Sequence, residues 1–349
     1  MTTRHTTTPM VPPAIGQSLS AAIGNDARAA VTGAPARPIR VGFIVGPTGV
    51  GKSSAALRIA EALGAEIVNA DSRQVYRAMD IGTAKPDAAA RARVPHHLVD
   101  LRTPAEPLDV AEFAALARAA IAGIVARGRN PLVVGGSGLY LRVLRGGIFP
   151  GPPASPKIRR ELEALAAERG IGYLRARLVE VDPEAAARIG CRDLYRTVRA
   201  LEVFQLTGRP ISVHQREHRF AARDFATLTV GLAMERRRLY EAINRRFDAM
   251  VAEGLLEEVR ALLAAGYDPG APPLSTVGYR QIASALRGEV TLIEAIELAK
   301  RETRRLAKRQ LTWFRADPEI VWVDAERELE RVRALLGDFF GCADEAANA

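Results

Sequence analysis

Apolar positions along the chain fall into short unbroken runs, separated by longer segments with a helical period. Val41–Val45 is the first such run, and it suits a strand buried on both faces. Glu66–Ala70, His97–Leu101 and Pro131–Val134 follow, and Thr227–Leu232 and Glu319–Val323 come late in the chain. Between them, Ser53–Leu63 reads as a helix closed by Gly64, and Val110–Ala126 as a second helix. Strands that alternate with helices predict a parallel α/β sheet. The pattern changes near residue 147. Ile148–Pro153 is a Pro/Gly break, and from there to about 220 the period is helical and arginine-rich. Helices are predicted again near 236–252, 254–265 and 291–315. No internal repeat is visible.

The division this predicts is as follows. Residues 1–38, rich in Thr, Ala, Pro and Gly, form a disordered extension. Residues 39–149 form the first part of an α/β core, 150–225 an all-helical insert, and 226–340 a return to the core with basic helices. Residues 341–349 are a tail. At 349 residues, 48% of them hydrophobic, the chain can bury a substantial core.

Charge adds a direction. There are 49 Lys plus Arg against 40 Asp plus Glu, a net +9. That sign favours polyanionic partners without identifying one. Two cysteines, Cys191 and Cys342, lie too far apart for a ligand motif, which argues against a zinc site and a disulfide framework. No apolar run approaches the roughly 18 residues of a membrane helix. Arg4 has no apolar stretch behind it, so no secretory signal is read. A cytoplasmic, membrane-free protein is expected, and a monomer.

Gly46-Pro47-Thr48-Gly49-Val50-Gly51-Lys52-Ser53 fits the phosphate-loop pattern G-x-x-x-x-G-K-[ST], with a strand before it and a helix after it. Its glycines let the backbone curl so that N–H groups face phosphate oxygens, and the helix start adds its positive end. Lys52 supplies a point charge, and the Ser53 hydroxyl is placed to reach Mg2+. The motif predicts a di- or triphosphate ligand and leaves the reaction open among kinases, ATPases and transferases. Asp71 directly follows the second strand, where ligands sit in such sheets. It can hold magnesium through water or accept a proton, and a plain turn Asp explains it equally well.

Several blocks together are more specific. Asp71–Pro86 (DSRQVYRAMDIGTAKP), Val94–Asp100, Val134–Tyr140 (VGGSGLY), Arg199–Val203 and Ala307–Trp313 (AKRQLTW), with the phosphate loop, resemble the tRNA dimethylallyltransferases in that family's order. The resemblance implies a P-loop NTPase-like parallel sheet core carrying an all-helical insertion domain that grips the tRNA anticodon stem–loop. It implies transfer of a dimethylallyl group from dimethylallyl diphosphate to N6 of the adenosine 3′ of the anticodon, in tRNAs reading codons that begin with U. By the same resemblance Asp71 is the base, Ser53 contacts phosphate and Mg2+, and Arg236 binds diphosphate. The implied tRNA contacts are Asp71, Ser72, Arg73, Gln74, Ser137 and Arg159. They also include Arg192, Asp193, Leu194, Tyr195 and Arg196, and Ser275, Thr276, Val277, Gly278, Tyr279 and Arg280.

This chain departs from the family at three points. Gly190-Cys191-Arg192 replaces the usual His-Pro-Asn, Leu194-Tyr195 stands where a residue followed by Gln is common, and Ser275 replaces a common Arg. These bear on tRNA contacts and not on the diphosphate chemistry.

Physically, an adenine amine is a poor nucleophile. Its attack needs placement, stabilisation of the leaving diphosphate and proton removal. On 291–315, Lys300, Arg304 and Lys308 form one row and Arg301, Arg305 and Arg309 the next, a basic face that Glu294, Glu297 and Glu302 interrupt. Tyr195 and Phe204 read as core residues at helical spacing, and Trp313 and Trp322 as packing. His214 and His218 lack a third ligand for a metal. His96 and His97 are expected on opposite faces of a strand. Three other readings share these features: an adenylate isopentenyltransferase, a small-molecule P-loop kinase, and an RNA-binding module that uses nucleotide as a switch.

Overall fold

The computed structural model describes residues 38–147, 151–218 and 224–341. The expected extension (save Pro38), the tail after Gly341, the first half of the 148–153 break (with residue 150 of the expected insert) and residues 219–223 of the insert lie outside the described residues. Six strands form one all-parallel sheet: β1 (Ile39–Val45), β2 (Ala65–Asn69), β3 (His96–His97), β4 (Asn130–Gly135), β5 (Phe225–Ala233) and β6 (Ile320–Asp324). Their order is β3-β2-β4-β1-β5-β6. The β1–β5 register runs from Ile39–Phe225 to Val45–Gly231, so β1 is held centrally between β4 and β5.

β1 sends alternate side chains to opposite faces, and each face has its own core. Val41, Phe43 and Val45 join one cluster with α3 (Val110–Ala126), α4 (Gly138–Gly146), α12 (Tyr279–Leu286) and α13 (Leu292–Arg315). Ile44 joins the other with α1 (Lys52–Ala62), α10 (Arg236–Ala252) and α14 (Leu329–Phe340). Burial on both faces explains why these strands read as continuous apolar runs. α2 (Ala88–Arg93) and α11 (Leu255–Ala264) complete the core's helices.

The expected third strand over 97–101 is corrected to the two residues of β3. Leu98 and Asp100 adopt left-handed backbone, φ 63° and 58°, which ends the extended chain. The Asp100 carboxylate turns back to accept from Lys85 Nζ at 2.6 Å and Arg91 Nη1 at 2.7 Å. Burial works to raise the carboxyl's pKa, and those partners outweigh it and hold it below its ordinary value.

Residues 156–218 form α5 (Pro156–Arg169), α6 (Ile171–Val181), α7 (Pro183–Arg188), α8 (Leu194–Thr207) and α9 (Ile211–His218). They enclose a third apolar cluster around Leu162, Leu174, Leu178 and Leu201. Each such leucine contributes about 1.5–3 kcal/mol by leaving water. Three starts are capped by side chains, Ser155 for α5, Asp182 for α7 and Asp193 for α8. Within this bundle the Glu202 carboxylate is fully buried. It accepts from Arg159 at 3.0 and 3.1 Å, from Arg199 at 2.6 Å and from the Ser155 amide at 2.6 Å.

Candidate active site

The phosphate loop leaves the carboxyl end of β1 and enters α1. Gly51 starts the helix with φ 92°, a conformation that strains any residue with a Cβ. Gly49 also lets α10 cross close over the loop, since a Cβ there would lie 2.6 Å from Ile243 Cγ1. Lys52 Nζ donates to the Pro47 carbonyl at 2.8 Å. Burial brings its ammonium down to about 8, while Asp71 opposes this and Arg246 adds to it.

A narrow cleft opens beside the loop. Thr48, Lys52 and Ser53 line it from the loop, Asn69 and Asp71 from the end of β2, Gly135 and Gly136 from the end of β4, and Arg246 from α10. Burial lowers the Arg246 guanidinium from its ordinary value, and Asp71 counters this. Asp71 occupies an Asx turn, with Oδ1 accepting from the Arg73 amide at 2.8 Å and its own amide donating to Asn69 Oδ1 at 3.1 Å. Among the described residues its second oxygen accepts no hydrogen bond. One oxygen of the carboxylate thus serves the turn, and the other is not engaged in it. His96 also lines the cleft, with burial pushing its imidazole below the ordinary value.

The turn after β4 is fastened to the Asp71 loop. The Ser72 amide donates to Ser137 Oγ at 3.1 Å, and Gly135 packs its Cα against the Ala70 carbonyl, where a Cβ would collide. Gln74 faces the cleft but is committed to the fold, since its Nε2 donates to the Thr83 and Ala84 carbonyls at 3.1 and 3.0 Å. Arg73 reaches the Pro272 carbonyl at 3.0 Å, and Ser275 Oγ donates to the same carbonyl at 3.2 Å. The Asp71–Gln74 and Ser275–Arg280 segments therefore meet.

Several expected site residues lie elsewhere. Arg236 is not among the residues lining the cleft. It stands exposed at the first turn of α10, its guanidinium 5.2 Å over the Tyr240 ring and its Nε donating to Tyr240 Oη at 3.3 Å. The arginine lining the cleft is Arg246, ten residues on and on the same helix face as Ile243. Tyr279 is fully buried and donates to Glu258, whose charge and the burial push its phenol well above the ordinary value. Glu258 also accepts from the amides of Asp80, Ile81 and Gly82. Gly278 is buried with φ 96°, Thr276 and Val277 are half-buried, and Arg280 is exposed.

In the insert, Arg159 is held by Glu202, and its guanidinium lies 5.9 Å over the Tyr195 ring. Tyr195 is 72% exposed, which corrects its reading as a core residue. Leu194 packs partly on the insert core, Asp193 caps α8, and Arg192 and Arg196 are exposed.

A groove of about 640 Å³ separates core from insert. Arg142, Arg309 and Trp313 wall its core side, and Arg188, Arg196 and Arg216 its insert side. Trp313 is 38% exposed beneath Arg142, 4.5 Å from its ring centre, so the reading of Trp313 as packing holds only for part of the ring. The two basic rows of α13 also divide. Lys300 pairs with Asp248 at 2.7 Å and Arg304 with Asn244 at 2.7 Å, both toward α10. Arg301, Arg305, Lys308 and Arg309 remain exposed.

Metal chemistry can be tested against the donors. Among the described residues no group of three or more His, Cys, Asp or Glu could hold an ion. Ser53 and Asp71 do line the same cleft, and both offer hard oxygen. Magnesium needs only one or two such protein oxygens when phosphate and water complete its shell, so this donor set fits it.

No helix among the described residues is long and apolar enough to cross a membrane. Against known proteins, the IPP transferase family model matches residues 74–317, and the isopentenyl transferase model matches 39–98. A tRNA dimethylallyltransferase of Syntrophobacter fumaroxidans is 53% identical over 81% of this chain and 83% of its own length. One from Geobacter metallireducens is 49% identical over 86% and 97%. The crystal structure of a Bacillus halodurans tRNA isopentenylpyrophosphate transferase aligns with TM-score 0.64 and 38% identity, covering 89% of this chain and 99% of that one. A eukaryotic dimethylallyltransferase acting on tRNA aligns with TM-score 0.73 and 27% identity, over 87% and 80%. The IPP transferase model covers more than half of the chain and curated relatives are about half identical over most of their own length, so the chain belongs to the IPP transferase family.

Proposed function

We propose that the protein transfers a dimethylallyl group from dimethylallyl diphosphate to N6 of the adenosine 3′ of the anticodon in tRNA. The observation that carries this is the convergence of Lys52, Arg246 and Asp71 on one cleft, with the basic groove joined to it at Gly136 and Gln310. Relatives named for the same reaction support it.

The diphosphate lies against the loop amides, where Lys52 and Arg246 face it. Both cations are desolvated, and neither has a carboxylate within ion-pair distance among the described residues. An approaching anion is therefore met by charge that needs no prior separation from a counter-ion. The adenosine enters from the groove, flipped out of its stack. Its N6 bonds to C1 as the C1–oxygen bond breaks and diphosphate leaves. The free oxygen of Asp71 takes the N6 proton, while the Arg73 amide fixes the other oxygen. Ser53 would hold Mg2+, with Asp71 reaching it only through water, and the ion would supply further charge neutralisation on the diphosphate when bound. Arg236 can serve only by leaving Tyr240, so the diphosphate role passes to Arg246 in this reading. A cytoplasmic location belongs to the same proposal, since tRNA is the acceptor.

The groove separates this reading from transfer to a free nucleotide. Arg142 and Arg309 on its core side and exposed Arg196 on its insert side are spread along the groove and suit a phosphodiester chain better than one monophosphate, while Arg188 and Arg216 share Glu184. The test is incubation with dimethylallyl diphosphate, Mg2+ and either unmodified tRNA or AMP, followed by nucleoside mass analysis. The expected product is N6-dimethylallyladenosine in tRNA. Prenylated AMP alone would favour the adenylate reading, and a phosphorylated product from ATP the kinase reading.

A further inference from the structure

We infer that Gln310 is a positioning residue that sets the spacing between the diphosphate loop and the turn at which the RNA base arrives. The inference rests on the prenyl-transfer reading above and assigns a role to a residue that has no charge to attract notice. Gln310 and Gly136 are the two residues that line both the narrow cleft and the basic groove, so they form the threshold between them. The side-chain amide of Gln310 is used at both ends. Its Oε1 accepts from the Thr48 amide at 2.8 Å, and its Nε2 donates to the Gly136 carbonyl at 3.0 Å. One planar group thus ties the phosphate loop to the turn after β4.

The base of the tie is rigid. Gln310 projects from α13, which starts with a Thr291–Glu294 capping box and is anchored by buried Ala299, Ala307 and Phe314. Its neighbours on α13, Arg309 and Trp313, face the groove. A contact made by RNA on that helix is therefore one residue from the group that holds the phosphate loop. Gly136 shows how close the fit is. A Cβ there would lie 2.5 Å from Gln310 Nε2 and 3.5 Å from the Gly46 carbonyl. Its backbone is not left-handed, so what an alanine would disturb there is this contact rather than the local conformation.

The two ends of the amide can be separated chemically. Gln310→Glu keeps the oxygen that accepts from Thr48 and turns the donor to Gly136 into a second acceptor. Gln310→Ala removes both. Gly136→Ala leaves Gln310 intact and pushes it away. All three are assayed for affinity to dimethylallyl diphosphate, tRNA affinity, turnover at saturation of both substrates, and melting temperature.

We expect Gln310→Ala to lose about 10²-fold in kcat, the size of effect that a 1 Å misplacement produces, with tRNA affinity within about twofold of wild type. Gln310→Glu should keep near wild-type diphosphate affinity and still lose about tenfold or more in kcat. Gly136→Ala should lose kcat in the same way. Should Gln310→Ala fail to fold, the near-isosteric Glu variant and Gly136→Ala carry the test. Lowered melting temperature with unchanged kcat in the variants would overturn the inference, as would a clear loss of diphosphate affinity in Gln310→Glu. A wild-type protein that prenylates no tRNA would sink the functional reading instead, while the diphosphate-affinity arm would still report on the Thr48 tie.

Discussion

In the cleft, Lys52 and Arg246 stand desolvated with no carboxylate in ion-pair range among the described residues. In the insert, Arg159 and Arg199 are tied to Glu202, Arg209 to Glu217 and Arg216 to Glu184. The same charge does different work in the two places. A paired cation stabilises its own fold and offers little net field. A desolvated one that lacks a partner raises the free energy of the empty protein and lowers it when an anion arrives. Counting arginines would have assigned the chemistry to the insert. Counting those without partners assigns it to the end of the sheet.

The contrast can be broken most forcefully at Glu202. Replacing it with Ala leaves Arg159 and Arg199 facing each other over a buried site. Losing one partner of such a group costs about 3–5 kcal/mol. We expect the insert to melt early in a thermal scan while the core still binds diphosphate. Loss of diphosphate binding in parallel would show that the two regions are one cooperative unit. Next, Arg246→Ala should lower kcat about 10²–10³-fold, as removal of a preorganised charge donor does, and Arg236→Ala by less than tenfold. Steady-state rates at saturating tRNA decide between them, and the reverse order would return the diphosphate to Arg236.

A smaller effect is expected at Tyr195, exposed beside Arg159. Stacking on a base is worth about 1–3 kcal/mol, so Tyr195→Ala should raise KM for tRNA about 5- to 150-fold and leave that for dimethylallyl diphosphate unchanged. The smallest is a pH effect. Because the free Lys52 ammonium titrates near 8, diphosphate affinity should fall about tenfold per pH unit above 8, and Lys52→Gln should flatten that slope. The stability sign is opposite. The Lys52 value in the fold lies below the ordinary 10.5, so its buried charge costs stability below pH about 8, and the cost is relieved as pH rises toward 10.5. Isothermal titration and thermal scans across pH 7–9.5 check the two halves.

The phosphate loop and Asp71 were legible because local sequence fixes them: a strand, a glycine curl, a helix start and an acid at the next strand end. β3 was not, because its end is set by Asp100 reaching Lys85 and Arg91 from other segments. The helices α2 and α12, of six and eight residues, are too short for a period to be read over several turns, and α14 was not placed although it is amphipathic over twelve residues. Arg246 could not be told from Arg236, Arg237, Arg238 and Arg245 until α10 was seen to lay Ile243 over Gly49, which turns the residue three positions later toward the cleft. Tyr195 and Tyr279 show the same limit in reverse. Helical spacing made the first a core residue and resemblance made the second an RNA contact, whereas packing exposes one and buries the other.

The claim beneath all of this is that chemistry belongs to the cleft and grip belongs to the insert. It is tested most directly by single-turnover transfer at saturating tRNA, comparing Asp71→Ala with Arg196→Ala. The account predicts that Asp71→Ala stays slower by about 10²–10⁴-fold however much tRNA is added, with tRNA affinity intact. Arg196→Ala should return to within about threefold of the wild-type rate once tRNA saturates, as a phosphate-contact residue does. An Asp71→Ala protein that excess tRNA restores, or an Arg196→Ala protein that it does not, would contradict the division.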